Sequence, residues 1–245
     1  MRPALTKPII FDDAFITSVV QYGESDCIVR MFTRTNGRIS AFFKRGFSRR
    51  KGSACAQAPA LARVGLIDAT HKLARMTSCD IDPITIQLMT SLKAFGYAAY
   101  FAELIEKFLP EADPSPAIFL TIEEMLQSLV NHGAQAFLLR AFELRLLSYC
   151  GYLPEMPNDK DEARVVAFDP VGCRLLSASC ENSVPFSSQA VRLAKTMLIA
   201  KIGSVNYDHP VLELLMIGRI FQSRLRLMGL GPLKTVSFLK QISER

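Results

Sequence analysis

The chain has 245 residues, of which 49% are hydrophobic and 21% charged, so it can bury a large core and should fold without disulfide staples. Its net charge of +6 is unevenly spread: Lys and Arg outnumber Asp and Glu by 13 to 6 in residues 1–80 and by 9 to 4 in residues 181–245, whereas acids lead by 13 to 7 in residues 81–180. Basic ends around an acidic middle indicate a polyanionic partner for the basic surfaces.

Cysteine spacing and the N-terminal residues bear on the cell compartment. No CxxC pair occurs, so a structural zinc site is not predicted. We expect the six cysteines to be reduced and mostly buried thiols: Cys27, Cys55, Cys79, Cys150, Cys173 and Cys180. Asp12 and Asp13 come before any long apolar run can form, so we expect neither a secretory signal nor a membrane span. A cytoplasmic location follows as the expectation.

Residues 14–82 have the composition of β-strands, rich in β-branched and aromatic side chains. Runs at 14–20, 27–32 and 38–43 are separated by turn signals, and Asn36-Gly37 predicts a type I′ hairpin with positive φ at both positions. Two further strands are expected around 60–68 and 72–81. Five short strands predict a small closed barrel, because closure removes the exposed edges of an open sheet.

Helical periodicity begins after Pro83. The sequence predicts one continuous buried helix over 84–109, a second from Ser115-Pro116 to Gly133, and a third over about 134–149. Residues 153–185 contain four prolines and an acidic stretch, so they read as an irregular insert. Helices resume near Ser187, and the one that begins at residues 208–210 ends at the glycines of 229–231. The predicted fold is α+β with two domains, a barrel in 1–82 and a helical domain in 83–245.

The most informative segment is the basic loop of residues 42–53, which carries five cations within eight residues. Such a loop can follow a phosphate backbone while aromatic rings stack on bases. The alternative is a solvated loop with both Phe43 and Phe47 packed in the barrel, and strand alternation favours an inward Phe43. The candidate DNA-binding residues are Arg34, Arg38, Lys44, Arg45, Phe47, Arg49, Arg50 and Lys51.

A second, weaker set of cations lies near the C-terminal end. Arg219 and Arg226 are seven residues apart and share a helix face, and Lys234 follows the terminal turn. These three residues are a candidate second DNA-binding surface, but ordinary solubilising charge is the favoured explanation.

Enzymatic signals are poor. The three histidines, His71, His132 and His209, sit in separate segments, and no nucleophile elbow or glycine-rich phosphate loop is present. We therefore predict a protein that is not an enzyme and that uses no cofactor and no metal.

The order of several short motifs resembles the RecO family of bacterial recombination mediators. The motifs are Tyr22-Gly23-Glu24-Ser25-Asp26-Cys27-Ile28-Val29, Phe32-Thr33 with Gly37, Lys44-Arg45-Gly46 with Arg49, Tyr100-Phe101-Ala102-Glu103-Leu104, Arg140-Ala141-Phe142-Glu143-Leu144-Arg145-Leu146-Leu147, Gly151-Tyr152-Leu153-Pro154 and Leu233-Lys234-Thr235. Each is short, and their collinear order over nearly the whole chain carries the resemblance.

The resemblance implies an OB-fold followed by a helical domain, and a function without catalysis. It implies binding to single- and double-stranded DNA at the nucleoid, annealing of complementary strands, and work with RecR to load the RecA recombinase onto DNA coated by single-strand-binding protein (SSB). It also implies capture of the acidic, phenylalanine-ending SSB tail, and Arg140 stands where the family's tail-binding arginine falls. Arg140 read without the resemblance is equally a surface helix charge.

This sequence departs from the family pattern in two places. Some members hold zinc with four cysteines in the insert, whereas residues 153–158 contain none and Cys173 and Cys180 are left without partners. The basic loop is one residue longer than the usual form between Gly46 and Arg49, which leaves open which cation meets which phosphate. Two other functions remain open: an RNA-binding OB-fold protein of translation or RNA processing, and a protein-interaction adaptor whose charge only solubilises it.

Overall fold

A computed structural model describes residues 7–46, 57–69 and 73–243 of the chain. The described residues divide into two compact units. The first unit takes those up to Val130 together with those from Lys234 onward, and the second takes Asn131–Leu233. The domain boundary expected between residues 82 and 83 from the sequence therefore remains a prediction about folding units.

The first unit contains a closed five-stranded barrel, as predicted. Its strands are β1 (Ile10–Tyr22), β2 (Asp26–Thr33), β3 (Gly37–Phe43), β4 (Ala60–Ile67) and β5 (Ala74–Ile81). They pair in the order β1-β2-β3-β5-β4, and β4 pairs with β1 to close the barrel. All neighbours are antiparallel except β3 and β5, which run parallel. The barrel is followed by helices, so the α+β fold class is confirmed.

Alternating residues of the strands fill the barrel interior with small and medium apolar side chains. On β3 the inward positions are Gly37, Ile39, Ala41 and Phe43, and the outward positions between them are partly exposed. Phe43 is only 5% exposed, which confirms its predicted place in the core. Phe42 points to the other face because successive strand side chains alternate.

The β2–β3 connection differs from the predicted type I′ turn. Thr33 pairs with Gly37, so the loop has three residues, and only Gly37 has a positive φ, of 68°. The carboxylate of Asp12 accepts hydrogen bonds from the Thr35 hydroxyl at 2.6 Å and from the Asn36 amide at 2.9 Å. The side-chain amide of Asn36 thus has a hydrogen-bond partner although its backbone is not left-handed. A three-residue loop, followed by a glycine in the left-handed region, replaces the predicted two-residue turn.

The predicted continuous helix over 84–109 is wrong, because the structure has two helices there. They are α1 (Pro83–Leu88) and α2 (Leu92–Phe108). The hydroxyl of Thr90 donates to the carbonyl of Gln87 at 2.7 Å, and the hydroxyl of Ser91 accepts from the N–H of Ala94 at 3.3 Å as the N-cap of α2. Adjacent Ser and Thr side chains offer the backbone these alternatives to helical bonds, and the apolar composition concealed them.

The remaining helices follow the sequence expectations closely. They are α3 (Pro116–His132), α4 (Ala136–Tyr149), α5 (Ser188–Ile199) and α6 (Val211–Leu227). Ile118, Ile122, Met125, Leu126 and Leu129 form the buried face of α3. Left-handed glycines end α4 at Gly151 and α6 at Gly229. The insert predicted as irregular contains a small three-stranded sheet of β6 (Ala167–Asp169), β7 (Arg174–Leu176) and β8 (Val184–Pro185).

A last helix, α7 (Lys234–Ser243), packs on α2 within the first unit. Gly96 of α2 lies under it, because a Cβ built there would be 2.9 Å from Cδ2 of Leu239. The carboxylate of Glu103 accepts hydrogen bonds from the backbone N–H groups of Lys234 and Thr235 and from the Thr235 hydroxyl. Glu103 thus caps the N-terminus of α7, where N–H groups lack helical partners.

None of the helices within the described residues has both the length and the apolar character needed to cross a bilayer.

Candidate nucleic-acid interface

The turn of residues 44–46 follows β3 and presents two cations to solvent. Lys44 and Arg45 are exposed. Arg45 has a φ of 56°, and its N–H donates to the carboxylate of Asp26 at 2.7 Å. A Cβ at Gly46 would be 2.4 Å from the sulfur of Cys27, so this residue must be glycine or the turn must shift. The backbone anchors the turn, and both side chains remain outside.

The other cations and the aromatic residue predicted for this loop, Phe47, Arg49, Arg50 and Lys51, lie outside the described residues.

Arg34 lies between the barrel and α3. Its guanidinium group forms ion pairs with Asp13 at 3.3 Å and with Glu123 at 2.8 Å. It also lies over the ring of Phe119, with Cζ 4.5 Å from the ring centroid, in cation–π geometry. This geometry ties β2 and its loop to α3, and two carboxylates compensate the charge of Arg34.

Arg38 occupies a comparable place against α2. Its side chain is 20% exposed and pairs with Glu106 at 3.3 Å and with Glu111 at 3.9 Å. Glu106 also accepts a hydrogen bond from the Thr17 hydroxyl and lies 4.0 Å from Arg30. Glu106 therefore joins three barrel side chains to α2, and Arg38 offers less uncompensated charge than its sequence position suggests.

The outer face of the barrel carries an aromatic pair that the sequence interpretation passed over. Tyr22, at the end of β1, is 61% exposed, and its ring meets that of Phe42 edge to face with centroids 5.9 Å apart. We call these two residues the aromatic corner. The register places Arg75 of β5 beside Phe42, and Arg75 is exposed. An outward aromatic residue in a strand is a signal for such a surface, but the sequence interpretation named only Phe47 as a stacking residue and placed Phe43 in the core.

Arg140 lies on α4 in the second unit. Its Nη1 pairs with the carboxylate of Glu143 at 2.8 Å, and the Glu143 side chain is only 2% exposed. The guanidinium group also rests against Gly218 of α6, where a Cβ would come within 2.3 Å of Nη1. The Arg140 side chain keeps 21% of its surface exposed, so it is held in place while still reaching solvent.

Of the second set of predicted cations, one contacts the backbone of the insert and the other two have exposed side chains. Arg219 donates a hydrogen bond to the carbonyl of Pro185 at 3.2 Å, whereas Arg226 is exposed on the same helix. Lys234 has an exposed side chain, and its backbone N–H is bonded to Glu103 at 2.8 Å. Lys234 therefore begins α7, whatever its side chain binds.

The nearby Arg145 has a structural role that the motif alone did not reveal. It is 8% exposed and donates hydrogen bonds to the carbonyl groups of Met197 and Ala200 at the end of α5. A cation at a helix C-terminus satisfies carbonyl groups that lack helical partners.

Most of the thiols that the structure describes are shielded from solvent. Cys27, Cys79 and Cys173 are buried, whereas Cys180 is exposed. Burial, with smaller contributions from Asp80 and Cys27, raises the pKa of the Cys79 thiol to about 12. Within the part of the chain that the structure describes, no three His, Cys, Asp or Glu side chains come together as a metal site would need.

The strand order and the parallel closure of β3 with β5 define an OB-fold barrel, the class whose second and third strands and adjoining loops bind oligonucleotides and oligosaccharides. Comparison with known families identifies the chain more closely. A family model described as Recombination protein O N terminal matches residues 9–82, and one described as Recombination protein O C terminal matches residues 89–216. The chain belongs to the RecO family, as the motif order predicted.

Relatives with this name are similar over most of the chain. The DNA repair protein RecO of Pelotomaculum thermopropionicum is 29% identical over 221 residues, which cover 88% of this chain and 84% of that protein. The DNA repair protein RecO of Pelobacter propionicus is 29% identical over 240 residues, or 94% of this chain and 96% of that protein. That of Myxococcus xanthus is 31% identical over 148 residues, or 60% of this chain and 61% of that protein.

Proposed function

We propose that this chain acts in DNA repair as a recombination mediator. In this role it binds single- and double-stranded DNA, anneals complementary strands, and helps to load the RecA recombinase onto SSB-coated DNA together with RecR. Its RecO family membership and the names of its relatives support the repair role. The observation that carries DNA binding is the turn of residues 44–46, whose anchored backbone directs Lys44 and Arg45 into solvent.

The barrel rim meets DNA chiefly through phosphates. Lys44 and Arg45 have no ion pair among the described residues, so their charge is available to a polyanion. Binding then releases counterions from the strand, and the affinity falls as salt rises. Neutralising phosphates on two strands lowers their mutual repulsion, which favours annealing. The protein makes and breaks no bond in this process.

The second unit captures the SSB tail at Arg140. A guanidinium group held by Glu143 and Gly218 is pre-oriented for the carboxylate that ends the tail, so little side-chain entropy is lost on binding. Leu215, one turn before Gly218 on α6, is exposed and offers apolar surface near the phenylalanine of such a tail. Binding the tail brings the protein to single strands already covered by SSB.

Titration of labelled single-stranded DNA at several salt concentrations tests the DNA-binding part. The variant Lys44→Ala/Arg45→Ala should bind more weakly, and each lost phosphate contact should flatten the slope of log affinity against log salt by about 0.7. Lys160→Ala/Lys201→Ala is the matched control, because it removes two exposed cations of the second unit that have no ion pair among the described residues. A slope that is the same in the wild type and in the Lys44/Arg45 variant would refute this placement of the site.

A further inference from the structure

We propose that the aromatic corner, Tyr22 and Phe42, stacks on unpaired bases and gives the barrel a preference for single strands that does not depend on charge. This inference rests on the proposed DNA-binding function. It adds that the site contacts the bases of the strand as well as its phosphates. The phosphate contacts of Lys44 and Arg45 are common to single and double strands, whereas an accessible base face exists only where bases are unpaired.

The outer face of the barrel is divided into a covered part and an open part. In the covered part, Phe15 and Phe32 are fully buried, and Phe32 stacks on Phe119 of α3 with centroids 6.3 Å apart. Further along the same strands, Val20 is 49% exposed and Ile28 and Phe42 are half-buried. The helices of the first unit thus leave one end of the β1–β2–β3 face uncovered.

The open part is apolar, continuous and aromatic at its edge. The strand registers place Val20 beside Ile28, and Ile28 beside Phe42, in one row across three strands. Tyr22 stands next to this row with its ring perpendicular to that of Phe42, at an interplanar angle of 86°. A contiguous apolar patch that is exposed on a protein surface is a typical feature of an interaction site. Two rings at right angles offer one face and one edge to a flat ligand.

Cations border the aromatic corner. Arg75 is the register partner of Phe42 on β5, Lys44 follows Phe42 by two residues, and Arg45 comes next. All three are exposed, and none has an ion pair among residues 7–46, 57–69 and 73–243. An apolar aromatic surface with adjoining unpaired cations matches a ligand of flat aromatic bases joined by phosphates, which is the chemistry of a single strand.

Asp26 is an acidic group that lies beside this surface. It is the register partner of Tyr22, but one oxygen of its carboxylate is engaged by the N–H of Arg45. It therefore orders the turn that presents the cations.

Two probes of equal length and charge separate stacking from phosphate binding. One is an oligothymidylate, and the other is a phosphodiester chain of the same length in which every residue is abasic. The wild-type protein should bind the thymidylate more tightly at every salt concentration, with the same salt slope for both probes. The variant Tyr22→Ala/Phe42→Ala should lose roughly ten-fold or more in affinity for the thymidylate and little for the abasic chain.

Matched variants distinguish a loss of base stacking from a loss of folding. Phe42→Tyr keeps the ring and should retain the preference, whereas Phe42→Leu keeps apolar volume and should lose it. Phe11→Ala removes a ring that is 57% exposed on another part of β1 and should change nothing. The chain has no Trp, so Tyr22→Trp introduces a single reporter whose fluorescence the thymidylate should quench and the abasic chain should not.

Three outcomes would overturn the inference. Equal affinity of the wild type for the two probes would do so and would leave phosphate binding by Lys44 and Arg45 intact. Equal losses for both probes in the Tyr22/Phe42 variant would also do so, because the corner would then support the turn and not the bases. Absence of binding to either probe at low salt would sink the proposed function as well.

Discussion

Gly218 of α6 lies directly against the guanidinium group of Arg140, so that any side chain at position 218 would meet the end of the arginine. A Cβ there would be 2.3 Å from Nη1 and 3.1 Å from Cζ. The displaced atoms belong to the flexible end of Arg140, while Ala is the better residue within a helix by about 1 kcal/mol. Gly218→Ala should therefore fold with an unchanged or slightly raised melting temperature, and yet move Arg140 from its place beside Glu143.

The expected functional result is weaker capture of a peptide that ends in a phenylalanine carboxylate. Arg140→Ala should lose about 1.5–3 kcal/mol of binding free energy, the range for a hydrogen bond to a charged group, and Gly218→Ala should lose part of it. Isothermal titration with the peptide measures both. Gly203→Ala is the control, because a Cβ there meets nothing within 4 Å. Wild-type peptide affinity in Gly218→Ala would show that the position of Arg140 is irrelevant.

Two glycines with positive φ should respond differently to alanine. Gly23 has a φ of 70°, and a Cβ there would meet nothing within 4 Å, so Gly23→Ala should cost only the backbone strain, about 1–2 kcal/mol. Gly37 has a φ of 68°, and a Cβ there would be 2.4 Å from the backbone of Asp113, which cannot move as a side chain can. Gly37→Ala should therefore unfold at clearly lower denaturant than Gly23→Ala. Equal midpoints in urea would contradict the close approach.

The contact between Glu103 and the start of α7 should make that helix sensitive to acid. Burial acts to raise the pKa of Glu103, but hydrogen bonds from Thr235 and Lys234, with the charge of Lys107, outweigh it and lower the pKa below 4.5. A lowered pKa in the folded state contributes stability that is present above about pH 4.5 and is lost as the pH falls through the folded value.

Hydrogen exchange of the α7 amides at several pH values tests this sensitivity. Protection of α7 should decline below about pH 4.5, and Glu103→Gln should reduce it at neutral pH while removing most of the acid dependence. Glu181→Gln changes an exposed carboxylate in the insert and serves as the control. Protection of α7 that is the same in Glu103→Gln and wild type would rule out this role for the carboxylate.

Thiol reactivity should separate the buried from the exposed cysteines. The thiolate is the reactive form, and burial raises the pKa of Cys79 to about 12 and so suppresses it at neutral pH. Cys180 is exposed and should be labelled by an alkylating reagent in the native protein, whereas Cys79 should react only after denaturant is added. Mass spectrometry of the digested protein identifies the labelled sites. Labelling of Cys79 as fast as Cys180 would contradict its burial.

The barrel could be predicted because its signals are local. Alternation along β3 placed Phe43 inside, and the turn residues at 22–26 separated β1 from β2. The α1–α2 break was missed because it depends on two hydroxyl groups whose bonds the apolar pattern does not report.

The candidate site was less predictable because the charged partners of its arginines are distant from them in the sequence. Arg34 and Arg38 read as free cations in the sequence, but Glu123 and Glu106 come from helices that are 89 and 68 residues away along the chain. The aromatic corner also depends on residues that are distant in the sequence, because Tyr22 and Phe42 meet only when β1, β2 and β3 are paired. Spacing in a sequence does not report such pairings.

The docking of α7 on α2 has a consequence for the order in which the molecule is completed. Helix α2 is synthesised long before Leu239 and Thr235 leave the ribosome. The surface around Gly96 and the carboxylate of Glu103 therefore lack their α7 partners until the entire second unit has been synthesised. The nascent barrel and its helices acquire their last layer only when translation has passed residue 234. Maturation of the first unit is thereby coupled to the presence of the second.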